Sequence, residues 1–360
     1  AMGGKKRMVE KTNKPAMEKR INSLWLLDVF RGLSALLIVL YHYTTQYDKS
    51  IGHLAKYNFS FPWGCHAVYA FFMLSGFLIV YTYKENFNMV SFLKKRCVRL
   101  YPMFWVCMVV TTIYMAFIFP ERVPSVRQFL LNITMFPTLF GSTAIDGVYW
   151  TMPKELIFYI IFAIIACGWG LKGKQKAKWL WLCIVIEVIC LIYCFGPFDL
   201  PAQWGIIFFM IPDYMYVFLA GCAVYYLNYT ENLQQKGMMI IYLIICTVVC
   251  KCLCSESTFI FFIFSLCMLI LCSREKTNQK TEGMKQILRP FIFLSEISYV
   301  LYLTHQFIGF GIIRKMEMQG MTAEVWILLP IAHAILLATI LHYGVELKIN
   351  QMLKRCFAKI

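Results

Sequence analysis

Residues 24–43 read LWLLDVFRGLSALLIVLYHY. The run is long and apolar enough to cross a bilayer, which takes about 20 residues, yet it carries Asp28, Arg31 and His42. Ionisable groups inside a spanning helix are costly and turn toward protein interior or a wet cavity. Arg31 and His42 are eleven residues apart, so on a helix they differ by only about 20° around the axis and by roughly 16 Å along it. Asp28 lies within about 40° of His42 on the same count. One stripe therefore holds an acid, a cation and an imidazole at stepped depths, and it reads as the wall of a site.

Outward from this stretch, composition fixes the class. The chain has 360 residues, 60% hydrophobic and 15% charged, with a mean hydropathy of +0.62. Soluble domains are about 45–50% apolar and about 25% charged, so the expectation is an all-α polytopic membrane protein. Ten spans can be drawn, at 22–43, 63–83, 100–119, 148–168, 178–195, 206–227, 238–254, 257–273, 291–313 and 324–346. Residues 126–140 form a shorter apolar piece that is re-entrant or interfacial, and Pro212-Asp213 marks a broken helix in the sixth span. With the N-terminus inside, the cytoplasmic loops and tails hold 26 of the 35 Lys and Arg, against 7 on the other side. That asymmetry predicts both termini in the cytoplasm. It also accounts for the +16 net charge through anionic lipid headgroups, without nucleic acid. The domain reading is a basic cytoplasmic tail at 1–21, a transmembrane domain at 22–346 and a second basic tail at 347–360. Ala1-Met2-Gly3-Gly4 reads as a cloning remnant and is set aside. The lysines of 172–178 form a solvated run, and Asn58 and Asn132 begin N-x-S/T triplets that recur by chance.

Fifteen cysteines invite a metal or disulfide reading, but most lie within apolar runs and none is spaced with histidines as a ligand set. They read as packing residues, with a redox or metal role the alternative for the tight group Cys250, Cys252 and Cys254, and no metal is expected at the site.

Other segments bear on the stripe. In FFMLSGFLI, Ser75 and Gly76 permit close helix packing or shape a passage. In SFLKKRCVRLYP, Lys94 and Lys95 anchor the chain at the inner surface, while Arg96 and Arg99, three residues apart, either anchor it too or clamp a phosphorylated ligand. In VYWTMPKELIFY, Glu155 and Tyr159 share a helix face. Glu155 is expected at about the depth of His42, either as a structural ion-pair partner or tuning the imidazole as a general base. In ISYVLYLTH, Ser298, Tyr302 and His305 lie on neighbouring faces, with His305 a helix–helix contact or a catalyst.

The segments LDVFRGLSALLIVLYH, FFMLSGFLI, RCVRLYP, WTMPKELIFY and ISYVLYLTH, in that order, resemble the acyltransferase 3 family of integral-membrane O-acyltransferases. The resemblance implies a bundle of about ten helices that takes an acyl group, usually acetyl, from cytoplasmic acyl-CoA. The group passes to a hydroxyl of an extracytoplasmic or lipid-linked acceptor, often a surface-polysaccharide sugar. The family's arginine and histidine on helix 1 correspond to Arg31 and His42, its Arg-x-x-Arg to Arg96 and Arg99, and its Trp-led glutamate to Glu155, with Tyr159 completing that motif. Where members often have a second acid, this chain has Leu156. Some members carry a fused extracytoplasmic esterase-like domain; here such a handover would need a separate protein.

The expected mechanism has His42 as general base, Glu155 orienting it, and Arg31, Arg96 and Arg99 holding the CoA phosphates or polarising the thioester. A covalent acyl-His or acyl-Tyr159 stays open, and Asp28, Ser75 and His305 are further candidates. The implied setting is a bacterial cytoplasmic (inner) membrane, with acyl-CoA, a carbohydrate or lipid-linked acceptor and membrane lipids as partners, and a homodimer open. The rival class is a transporter or flippase of a lipid-linked glycan or small metabolite; a scaffold has little use for ionisable residues within the bilayer.

Overall fold

Asn88 sets the start of a 30-residue helix with a basic first half. Its side chain accepts the Ser91 amide at 2.8 Å, an N-cap that satisfies one orphan donor. A single helix then runs Met89–Ile118 through Pro102. The basic segment expected to precede the span at 100–119 is therefore its first turns, and Arg96 and Arg99 are helical residues with fixed directions.

The computed structural model describes residues 24–55, 58–83, 87–169, 180–181, 185, 212–274 and 279–357. Among them there is no strand. The elements are α1 (Trp25–Ser50), α2 (Ala67–Tyr81), α3 (Met89–Ile118), α4 (Val126–Asn132), α5 (Thr151–Trp169), α6 (Pro212–Tyr229), α7 (Leu233–Leu253), α8 (Glu256–Cys272), α9 (Gln279–Ile287), α10 (Arg289–Met318), α11 (Leu328–Leu341) and α12 (Leu347–Phe357). Seven helical segments among the described residues are long and apolar enough to cross a membrane, and Glu256–Cys272 is a shorter apolar helix. The span expected at 178–195 lies almost wholly outside the described residues, as do the 1–21 tail and the lysine run. The break expected at Pro212-Asp213 falls at their edge, where α6 begins. The piece at 126–140 forms only the short helix α4 and a 3-10 turn at Pro137–Phe140.

Two features show a chain built to face lipid. On α3, Trp105, Val109, Ile113 and Phe117 recur every fourth residue on one outward stripe, with Phe117 80% exposed. Ser265, Ser295, Ser298, Thr304, His305 and Gln306 are buried instead. Apolar side chains outside and hydrogen-bonding ones inside is the distribution a bilayer selects.

Packing centres on two helix pairs, α1 with α10 and α2 with α6. In the second pair the backbones nearly touch. A Cβ on Gly76 would lie 1.9 Å from the Phe218 carbonyl oxygen, and one on Gly221 would lie 2.0 Å from that of Met73. Lipid tails are as apolar as leucine, so such close dispersion contact holds membrane helices together. This fixes the role of Gly76 as packing, while Ser75 beside it lines a cavity.

The α1 segment is longer than the 22–43 expected. It continues to Ser50 through a π-helical turn at His42–Gln46, a widening that is frequent at functional sites. Past the turn, the Thr44 and Thr45 hydroxyls accept the Phe61 amide at 3.2 and 2.9 Å, tying the end of α1 to the approach to α2. Cys254, at the end of α7, lies 3.4 and 3.3 Å from the Tyr69 and Tyr216 hydroxyls, a packed thiol–phenol contact.

Candidate active site

Hydrogen-bond geometry assigns the protons of a histidine pair where α1 meets α10. His305 Nδ1 lies 3.0 Å from the Leu301 carbonyl and 2.9 Å from that of Tyr302. Carbonyls only accept, so this nitrogen carries the proton and His305 Nε2 holds a lone pair. That lone pair lies 3.1 Å from His42 Nδ1, which is also 2.9 Å from the Ile38 carbonyl. Both neighbours accept, so His42 Nδ1 donates. In the neutral ring, His42 Nε2 is then unprotonated, and the half-buried imidazole offers it at the wall of a cavity of about 440 Å³. The arrangement prepares a base: when Nε2 takes a proton, the cation that forms already points its other N–H at two acceptors.

The partner is held from two sides. Tyr43 donates its hydroxyl to the His305 carbonyl at 2.8 Å. Asp146, fully buried just before α5, accepts the Phe307 amide at 3.1 Å and the Val148 amide at 3.2 Å. It pins the turn of α10 that carries His305 to the loop entering α5. Burial pushes the Asp146 carboxyl up to about 7, against the backbone N–H groups that favour its charge.

Glu155 is elsewhere. Its Oε1 accepts from Ser75 at 3.1 Å and from the Tyr159 hydroxyl, in a smaller cavity of about 130 Å³ that Arg31 and Arg99 also line. The expected His42–Glu155 pairing is therefore corrected: the orienting partner of His42 is His305. The reason is helix rise. Trp150, in the 3-10 turn that opens this span, lines the His42 cavity, and Glu155 follows five residues later, about 7.5 Å deeper. Among the charged groups near Arg31 are Arg99, Asp28 and Glu155, and Asp28 also accepts from Ser295 at 3.3 Å. Asp28 is thus a counter-charge one turn from Arg31. The two cavities share Val68 and Tyr302 as walls, so the stripe from Arg31 to His42 passes along both.

Arg96 and Arg99 are separated. Arg99 is solvent-accessible within the inner cavity. Arg96 lines a third cavity of about 340 Å³ with Lys95, Phe92, Phe87 and Thr82. Its guanidinium lies 5.1 Å from the Phe92 ring centroid and 5.0 Å from that of Tyr159. The expected two-arginine clamp is thus split between neighbouring chambers. Tyr159 joins them, with its ring on Arg96 and its hydroxyl on Glu155.

Several wall residues of the His42 cavity had no sequence signal, among them Gln46, His66, Tyr214, Thr258 and Gln306. They come from five separate elements. Asp146 left one trace, an Asp-Gly turn ahead of the Trp-led motif.

A lipid-facing helical shell around an imidazole pair and an arginine-lined chamber defines an integral-membrane protein with a polar interior site. The comparisons specify it further: the chain belongs to the acyltransferase 3 family, whose Acyltransferase domain matches residues 24–344. It is 23% identical over 200 residues to Acyltransferase MdmB of Streptomyces mycarofaciens, covering 52% of this chain and 50% of that protein. It is 22% identical over 290 residues to the Putative acetyltransferase ORF330 of Acidianus two-tailed virus, covering 76% and 80%. A match to Nodulation protein 10 of Rhizobium leguminosarum bv. viciae is 25% identical over 118 residues, 28% and 32% of the two chains. The match thus spans half the length of MdmB. No solved structure matches the chain.

Proposed function

We propose that the protein transfers an acyl group, most simply acetyl, from acyl-CoA to a hydroxyl of an extracytoplasmic or lipid-linked acceptor of the surface-polysaccharide type. The carrying observation is the His42–His305 pair, whose proton assignment leaves a base in a cavity that adjoins two arginines. In this reading the donor approaches from the cytoplasmic side past Arg96. Its phosphates meet Arg96, Arg99 and Arg31 by charge-assisted hydrogen bonds, and the thioester extends toward Val68 and Tyr302. The acceptor occupies the His42 cavity.

His42 Nε2 takes the proton of the attacking hydroxyl as its oxygen adds to the thioester carbonyl. The tetrahedral adduct collapses with cleavage of the C–S bond and return of the carbonyl C=O, which leaves the ester. The proton passes from His42 to the departing sulfur, giving CoA-SH and an O-acyl product. His305 Nε2 accepts from the His42 cation throughout, and Glu155 with Tyr159 offsets and orders the arginines. The setting is an inner membrane with both termini cytoplasmic.

The test is radiolabelled acetyl transfer from acetyl-CoA to a methyl glycoside by the purified chain in lipid nanodiscs. Label in the glycoside supports the reading. A chain that binds no acetyl-CoA but moves a lipid-linked glycan across liposomes would replace it with translocation.

A further inference from the structure

Gln306 follows His305 directly and lines the same cavity as His42. It is only 6% exposed, and its Oε1 has no hydrogen-bond partner among the described residues. Buried amides are almost always paired, so one left open at the wall of a chamber calls for a ligand.

The neighbourhood is built to hold that amide in place. A Cβ on Gly147 would lie 2.7 Å from Oε1 and 2.8 Å from Nε2, so a side chain there would push the amide from its present position. On the other side, the Phe307 amide is fixed to Asp146, which anchors the turn that carries Gln306. Chain geometry thus keeps an amide with spare capacity beside the histidine pair.

We infer that Gln306 binds the hydroxyl adjacent to the one that is acylated, and so selects an acceptor with neighbouring hydroxyls over a simple alcohol. A carboxamide both donates and accepts, and so does a hydroxyl. With His42 claiming one hydroxyl in this cavity, the amide is a matched seat for a second. A site that hydrogen-bonds a substrate hydroxyl rejects analogues lacking it far more strongly than an apolar pocket can discriminate. The inference rests on the acyl-transfer reading above.

The experiment compares cyclohexanol with trans-cyclohexane-1,2-diol as acceptors, with acetyl-CoA and the purified full chain in nanodiscs. The wild type should favour the diol by about tenfold or more in kcat/KM per hydroxyl. In Gln306→Leu the preference should collapse toward unity. Gly147→Ala should lower it too, although Gln306 is retained, because the added methyl displaces the amide. An unchanged preference in Gln306→Leu, or no preference in the wild type, overturns the assignment. Saturation-transfer NMR with the diol separates the two failures. If no transfer occurs to either alcohol, the transferase reading falls; diol contact that is equal in wild type and Gln306→Leu sinks the Gln306 assignment independently.

Discussion

Replacing His305 with leucine tests the histidine pair quantitatively. The substitution removes the acceptor 3.1 Å from His42 Nδ1 and leaves the Ile38 carbonyl at 2.9 Å. The tautomer of His42 therefore survives, and the loss is confined to one hydrogen bond that becomes charge-assisted as His42 takes the proton. Such bonds are worth about 1.5–3 kcal/mol, so kcat should fall by about 10- to 150-fold. His42→Ala, which removes the base itself, should lose about 10²–10⁴-fold. His305→Gln places a carbonyl oxygen near the lost Nε2 and should recover part of the deficit. The assay is acetyl transfer at saturating acetyl-CoA, with CoA measured by chromatography because 15 cysteines would confuse a thiol reagent. Wild-type turnover in His305→Leu would refute the pairing. A loss matching that of His42→Ala would refute the subordinate role of His305.

Other substitutions test the surroundings. Arg99→Ala should raise the acetyl-CoA Kd about tenfold or more by calorimetry, since it stands open in the inner cavity; an unchanged Kd removes it from the donor site. Asp146→Asn tests linkage. The folded-state pKa of Asp146, about 7, lies above the usual value near 4, so between these values the folded chain keeps a proton that the unfolded chain has lost. That contribution favours folding at low pH and declines as pH rises from about 4 to 7. The variant should show a smaller decline in thermal stability over that window, and an identical profile would contradict the assignment. Gly76→Leu should destabilise strongly, because its first carbon meets the Phe218 carbonyl at 1.9 Å; a melting temperature within about 2 °C of wild type would mean the two helices can part.

The fold was legible where hydropathy acts over whole helices. The lipid-facing stripes and the Arg31–His42 register follow from 3.6-residue periodicity alone, and the structure places both residues on adjoining cavities. Depth was less legible. Glu155 seemed level with His42 because its helix was counted from a span boundary, but the 3-10 turn Gly147–Trp150 occupies that level and Glu155 lies deeper. The basic start of α3 fell outside the span drawn at 100–119 because charge ends the apolar run, whereas the helix itself begins at the Asn88 cap. His305 was visible as a candidate, but its pairing with His42 spans 263 residues of sequence, and no local pattern reports how two helices are rotated against each other. Gln306 was hidden for the same reason.

His42 as the base for acyl transfer is tested by acetyl transfer from acetyl-CoA to a methyl glycoside, measured side by side for purified wild type and His42→Ala. Transfer by the wild type with a loss of about 10²–10⁴-fold in a variant that still melts like it is the predicted result. Equal transfer by the two proteins would remove His42 from the chemistry.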